Sequence, residues 1–333
     1  MKCIELASPS SLDTIRVVER EVPRAGPGEV LMRVHASSLN FHDYLVATNI
    51  MPAPSGRIPL SDGAGEVVEL GEGVTRFAVG DRVTGTYFPR WIDGPPTPDK
   101  ISVMRGEQCD GFAAEYVAVD AETLTRTPAN LSDVEAATLP CAGLTAWRAL
   151  FVEASLAPGD TILIEGSGGV SLFALQLARM AGANVVAVTS TPEKMEKLRL
   201  LGAAHVLNYR EQPEWGKAVT ALTGGRGVDY VVEVVGGDLT QSLTALRLGG
   251  RSLLIGALSR QPITYRSLMA IAGNRSVTGL TVASRADQEK MFRAIEISGL
   301  KPVIDRTFGL EELADAFRHQ ASGTQFGKIA LAW

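Results

Sequence analysis

Residues able to do chemistry gather in two stretches of this 333-residue chain. One is Gly166-Ser167-Gly168-Gly169-Val170. Its first glycine permits a tight turn and its second lets the backbone approach a pyrophosphate. A helix N-terminus that follows offers free N–H groups and a positive dipole end. A third glycine is expected at Ser171, where the small serine departs from the fingerprint. The other stretch is Asn40-Phe41-His42-Asp43-Tyr44, which sets an amide, an imidazole, a carboxylate and a phenol close together. An imidazole titrating near neutrality can give a proton to a reacting centre. The alternative for His42 is a hydrogen-bonded structural histidine. Asp43 suits the ordering of its loop, and Tyr44 is a second proton donor or an aromatic wall for a flat substrate.

The elements that must position these groups follow from periodicity. Before Gly166 lies a short apolar run from Thr161 suited to a strand buried on both faces, and after it comes an apolar-periodic helix. A strand over 185–189, a helix from Pro192, a strand over 204–208 and an apolar strand over 228–235 follow. This alternation predicts an α/β domain with a parallel, doubly wound sheet. Beyond Gly236-Gly237 the spacing predicts a helix through Leu248, a turn at Gly249-Gly250 and a strand over 252–255. A β-branched run over 276–283, helices over 286–298 and 311–320 and a last strand over 328–333 complete the chain. Residues 1 to about 125 read differently, as short alternating runs (29–35, 65–70, 114–119) broken by Gly and Pro, which is an all-β pattern. Residues 90–111 read as a long polar surface loop carrying Trp91, which could stack on a substrate. Ser132 and Glu135 stand in capping-box positions ahead of helical spacing to Ala154.

Composition narrows the function classes. The chain is 45% hydrophobic and 21% charged with a net charge of −5, so no basic face for nucleic acid is expected. Three cysteines, Cys3, Cys109 and Cys141, are too few and scattered for a disulfide framework. The first residues lack the apolar core of a signal peptide, and no run reaches the length of a membrane span. A cytoplasmic protein of two domains, with neither membrane nor nucleic-acid partner, is the expectation.

The order of parts resembles the medium-chain dehydrogenase/reductase superfamily, and within it the zinc-independent quinone oxidoreductase-like branch. The residues carrying this are SSLNFHDY (37–44), IPLSDGAGEVVELGEGV (58–74), VGDRV (79–83), LPCAGLTAWRAL (139–150), the glycine turn and LGAAHVLNYRE (201–211). The resemblance implies a mostly β GroES-like catalytic domain at 1–127 and 301–333, around a Rossmann domain at 128–300. Zinc-dependent relatives hold their metal with a Cys, a His and a further Cys or Asp. The matching positions here are Asn40, Ser61 and Cys141, with Asp62 beside them. An amide and a neutral hydroxyl are poor zinc donors, so no metal is expected.

Cofactor choice rests on the end of the second Rossmann strand, where NAD-specific proteins carry an acid. Here the position is Thr189. A carboxylate about 4 Å from a phosphate charge would cost about 4 kcal/mol at an effective dielectric of about 20. Ser190, Thr191, Lys194, Tyr209 and Arg210 could instead receive a 2′-phosphate, which points to NADPH (NADP+). The resemblance implies further cofactor contacts at Thr145, Gly236, Gly256 and Lys328, although Lys328, as a lone lysine, could equally be solvated. Without a metal, an activated double bond or quinone is easier to reduce than a simple ketone, because the anion formed is delocalised. The expected activity is therefore NADPH-dependent reduction of a small electrophilic quinone or enone, with Asn40, His42, Asp43 and Tyr44 as catalytic candidates. The alternatives are an NAD(P)-dependent alcohol dehydrogenase or carbonyl reductase, and a cofactor-binding protein with little turnover. Relatives pair through an edge strand matching 276–283, which implies a homodimer.

Overall fold

In the computed structural model, which describes residues 1–333, the glycine turn leaves the middle of a six-stranded sheet. By internal contacts the chain divides into two units, Met1–Leu144 with Val282–Trp333, and Thr145–Thr281. In the second unit Thr161–Glu165 (β1), Asn184–Thr189 (β2), His205–Asn208 (β3), Val228–Glu233 (β4), Leu246–Leu254 (β5) and Ser276–Gly279 (β6) run parallel in the order β3-β2-β1-β4-β5-β6. Ile162, Leu163 and Ile164 of β1 and Val231 and Val232 of β4 are wholly buried, which is why these strands read as unbroken apolar runs. The order reverses between β1 and β4, and in such sheets the ligand crevice opens at the carboxyl ends of the strands flanking that point. Helices α1 (Gly169–Met180), α2 (Pro192–Leu200), α3 (Trp215–Leu222), α4 (Thr240–Ala245) and α5 (Ser267–Gly273) complete the unit.

Two sequence expectations shift here. The helix expected through Leu248 ends at Ala245, because Leu246 takes an extended ψ of 140° and starts β5. Gly249-Gly250 then lies inside β5, within the register shift where Val228 faces Leu246 but Tyr230 faces Arg251. The run over 276–283 forms a strand only at Ser276–Gly279.

The first unit is built on the strand Glu29–Ser38, antiparallel to Ala64–Leu70, to Tyr116–Asp120 and to Lys328–Ala332. Arg82–Gly85, Leu124–Arg126 and Ile304–Phe308 extend this sheet to seven strands. Its core includes Met32, Val34, Leu60, Phe112, Phe317 and Leu331. Gly63 and Gly85 lie against the Phe112 ring, where a Cβ would come within 2.2 and 2.3 Å, so the ring fills the space two side chains would need. The units divide at 144/145 and 281/282 rather than at the expected 127/128 and 300/301. A helix at Arg285–Ser298 accounts for the later cut, since its Gln288 donates to Gly85 O (3.0 Å) and Thr125 Oγ1 (2.8 Å) of the first unit.

The loop over 90–111 carries no helix or regular strand, yet part of it turns inward. Trp91 is 2% exposed, with its indole N–H donated to Gly94 O at 2.8 Å. This corrects the expectation of a substrate-stacking ring, because a buried indole in such a turn presents no open face.

Candidate active site

In the second unit the turn after β1 has the form the sequence predicts. Gly166 adopts φ +72°, a conformation that costs an L side chain about 1–2 kcal/mol, and Gly168 caps α1. A Cβ added at either would meet nothing within 4 Å, so protein packing does not require these glycines. What their absence of side chain does supply is an open approach to the first N–H groups of α1, beside Ser167, Gly169 and Val170. Ser171, the departure from the fingerprint, is buried and donates to Glu165 O at 2.6 Å. Its hydroxyl ties the helix to the strand where a glycine would only bring them close.

At the ends of β2 and β3 the expected 2′-phosphate group of residues is brought together along the sheet. Tyr209 N donates to Thr189 O at 3.0 Å, and Tyr209 is half exposed. Thr191 Oγ1 accepts from Lys194 N at 3.3 Å, so Thr191 caps α2 while Ser190 stands just before it. No carboxylate ends β2, since Thr189 is its last residue. Gly236, after β4, has φ +71°, and a Cβ on Gly256 would come within 2.2 Å of Val234 O. Close backbone packing therefore accounts for Gly256 by itself. Thr145 is buried at the first position of the unit. The glycine turn and the polar groups beyond it fit a nicotinamide dinucleotide.

In the first unit a buried polar cluster forms where the strand Glu29–Ser38 runs into the short helix Phe41–Ala47. Asp43 and Asp62 are both buried. Asp62 accepts from Ser38 Oγ (2.7 Å), Asn40 Nδ2 (2.8 Å) and Cys141 N (3.0 Å). Asp43 accepts from the backbone N–H groups of Asn40 and Ser61, each at 2.9 Å. Lys328, on the neighbouring strand, donates to Leu39 O (2.7 Å) and Asn40 Oδ1 (2.6 Å) and lies 3.6 Å from Asp62. Burial pushes both aspartates above the usual carboxylate range, against the pull of His42 on Asp43 and of Lys328 on Asp62.

These bonds reassign several candidates. Asn40 gives both sides of its amide to protein partners, Lys328 on one side and Asp62 and Ser61 on the other, so it braces the cluster. Asp43 orders the turn, as its residue type suggests. Lys328 is not solvated: it is the cluster's buried cation. Tyr44 packs its ring between Phe41 and Phe317.

His42 differs from the rest: Nε2 lies 2.8 Å from a Glu107 oxygen, while Nδ1, 3.9 Å from Asp43, has no hydrogen-bond partner. Burial works to lower its pKa, but Glu107 and Asp43 outweigh that and hold it above 6.5. Glu107 was not visible as a site residue. It lies 65 positions away in the 90–111 loop, and no spacing rule connects the two.

The cluster occupies the positions that match the metal ligands of zinc-dependent relatives, and its donors do not fit zinc. The Asn40 carbonyl oxygen faces an ammonium, Ser61 offers a hydroxyl, and burial beside Asp62 pushes the Cys141 thiol well above its usual range. Zinc takes the thiolate rather than the thiol. No three His, Cys, Asp or Glu side chains are grouped to hold a metal.

Comparison with known proteins agrees with this architecture. Residues 26–129 match the alcohol dehydrogenase GroES-like domain family, and residues 169–297 match the zinc-binding dehydrogenase family. A zinc-type alcohol dehydrogenase-like protein of Schizosaccharomyces pombe is 38% identical over 97% of this chain and 96% of its own length. A solved structure from Sinorhizobium meliloti 1021, assigned as an alcohol dehydrogenase, is 36% identical with a TM-score of 0.93, covering 100% of this chain and 99% of that one. A solved NAD-dependent alcohol dehydrogenase is 31% identical with a TM-score of 0.90 over the whole of both chains. The chain belongs to the medium-chain dehydrogenase/reductase superfamily and is an NAD(P)-dependent oxidoreductase of that kind. No helix is long and apolar enough to cross a membrane.

Proposed function

We propose that this protein is an NADPH-dependent, zinc-independent reductase of quinones or activated C=C bonds, of the quinone oxidoreductase-like branch. The observation that carries the reading is the Lys328 ammonium bonded to Asn40 among the positions that match the metal ligands of relatives. With that cation fixed by Leu39 and Asn40, no strong electrophile is left to polarise a simple ketone. A conjugated acceptor needs less help, because the anion it forms is delocalised.

When bound, the reduced nicotinamide supplies a hydride. The protein's part is then to hold the dinucleotide and to give a proton to the enolate or hydroquinone anion. Ser190, Thr191, Lys194 and Tyr209 receive the 2′-phosphate in this reading, with Gly166 to Val170 around the pyrophosphate. His42, whose pKa Glu107 and Asp43 raise against the lowering effect of burial, is the proton source in this reading, and Tyr44 shapes the wall beside it. Replacing a positioned acid of this kind typically costs about 100-fold or more in rate. A His42→Ala variant with undiminished kcat would remove His42 from the chemistry.

NADPH oxidation against a panel of quinones, enones, acryloyl thioesters and simple aldehydes tests the substrate class. Turnover of the conjugated acceptors, unchanged by chelators, is expected. Turnover confined to aldehydes and abolished by chelation would favour the second reading, an alcohol dehydrogenase or carbonyl reductase, which the alcohol dehydrogenase relatives recommend. Binding of cofactor with no turnover across the panel would leave a cofactor-binding protein.

The reading includes a cytoplasmic homodimer without nucleic-acid or membrane partners. The free edge of β6, paired only to β5, and the exposed Leu268 and Ile271 of α5 support the pairing.

A further inference from the structure

Beneath the crevice of the second unit lie two carboxyl groups that the reaction does not use. Glu165 ends β1 and Glu233 ends β4, one residue beyond the paired Ile164 and Val232, so the parallel register sets them side by side. They are 6% and 1% exposed. Glu165 Oε2 accepts from Val234 N at 3.3 Å, and Glu233 Oε1 accepts from Val235 N (3.2 Å) and Gly236 N (2.9 Å). From α4, the Ser242 hydroxyl reaches both, at 2.5 Å from Glu233 and 3.3 Å from Glu165.

Ionised carboxylates only accept hydrogen bonds, so two of them in contact need a proton on one. The flanking strands and α4 place no cation on them. The groups acting on Glu165 besides burial are Glu233 and the N–H groups of Val234 and Val235. Burial, and then Glu233, push the Glu165 carboxyl well above the usual range.

We infer that Glu165 and Glu233 hold one proton between them and act as a positioning pair for the turn from Val234 to Gly237, so that dinucleotide affinity depends on that proton. On its far side the turn is held by Ser259 N and Thr264 N, which donate to Val235 O and Gly237 O at 2.9 Å each; on the strand side the two carboxyl groups hold it. Gly236 and Gly237 both take positive φ, and the first backbone amides past β4 are spent on these carboxylates. With the shared proton present, the strand ends are drawn together and the turn closes the crevice beside the glycine cradle. Once it leaves, two adjacent negative charges repel in a dry site, the ends spread, and the turn loses its register.

The inference rests on the reading that this unit binds a nicotinamide dinucleotide. Its test is the Kd of NADPH and of NADH, from nucleotide fluorescence, for the full chain between neutrality and about pH 9, where buried glutamates can titrate. The 2′-phosphate is already ionised above about pH 6 and adds no slope there. Wild-type Kd should rise with pH, approaching about tenfold per unit once the pair ionises. Glu165→Gln should bind with nearly constant Kd, because an amide donates to Glu233 and accepts from Val234 at every pH. The infrared carbonyl stretch of a neutral carboxylic acid should disappear from wild type at the same midpoint. That coincidence decides the matter even where the variant does not fold.

A wild-type Kd that is flat with pH, or equal slopes in wild type and Glu165→Gln, overturns the inference. Failure to bind either nucleotide at any pH would sink the cofactor reading and this inference together.

Discussion

Lys328 is the residue on which the first unit's cluster turns. Removing one partner of a buried charge pair leaves the other uncompensated, at a cost of about 3–5 kcal/mol. Lys328→Met should therefore lower the unfolding free energy in urea by about 3 kcal/mol, whereas Lys2→Met, at an exposed pair with Glu311, should change it little. Equal small effects at both sites would contradict the buried-cation assignment. His42 carries a pH signature of its own. Its folded pKa lies above 6.5, so the stability it contributes is fully present below that pH and is lost as pH rises through the folded value. Unfolding free energy should thus decline more steeply as pH rises above about 6.5 in wild type than in His42→Asn, and superimposable profiles would refute the His42–Glu107 coupling.

At the scale of elements, the turn between β1 and α1 separates structural from ligand-borne demands. Gly168→Ala enters open space at an ordinary φ, so its stability cost should be about 1 kcal/mol or less. If a pyrophosphate approaches this backbone, the same methyl should still weaken NADPH binding by about tenfold, the equivalent of about 1.4 kcal/mol. A Kd that does not move would show that nothing comes close to Gly168. Ser171→Ala reports on the strand-to-helix tie: losing its bond to Glu165 O should cost about 1 kcal/mol in thermal or urea unfolding while leaving nucleotide selectivity alone.

For the whole molecule, the expectations concern cofactor preference and assembly. One charge-assisted hydrogen bond to a 2′-phosphate is worth about 1.5–3 kcal/mol, so kcat/KM should favour NADPH over NADH by about tenfold or more. Equal values would remove the roles given to Ser190, Thr191, Lys194 and Tyr209. Light scattering at micromolar concentration should give twice the mass of one chain, and Ile271→Glu on α5 should reduce it. A single-chain mass for wild type would set aside the β6 edge as an interface.

The alternation of apolar strands, glycine turns and amphipathic helices fixes hydrogen-bonding period and burial locally, and for that reason the sequence alone was enough to lay out β1 to β4, α1 and α2 within a residue or two. The β1–α1 turn was legible because its constraint, a positive φ next to a helix start, is local too. Contacts between distant segments were not. Glu107 meets His42, Lys328 meets Asn40 and Glu165 meets Glu233 only because sheet register and loop packing bring together positions separated by 65, 288 and 68 residues. Whether a lysine is solvated or locked beside a carboxylate, and whether a tryptophan is a substrate wall or core, depends on burial. Burial is a property of what packs against a side chain, and only the tertiary structure supplied that.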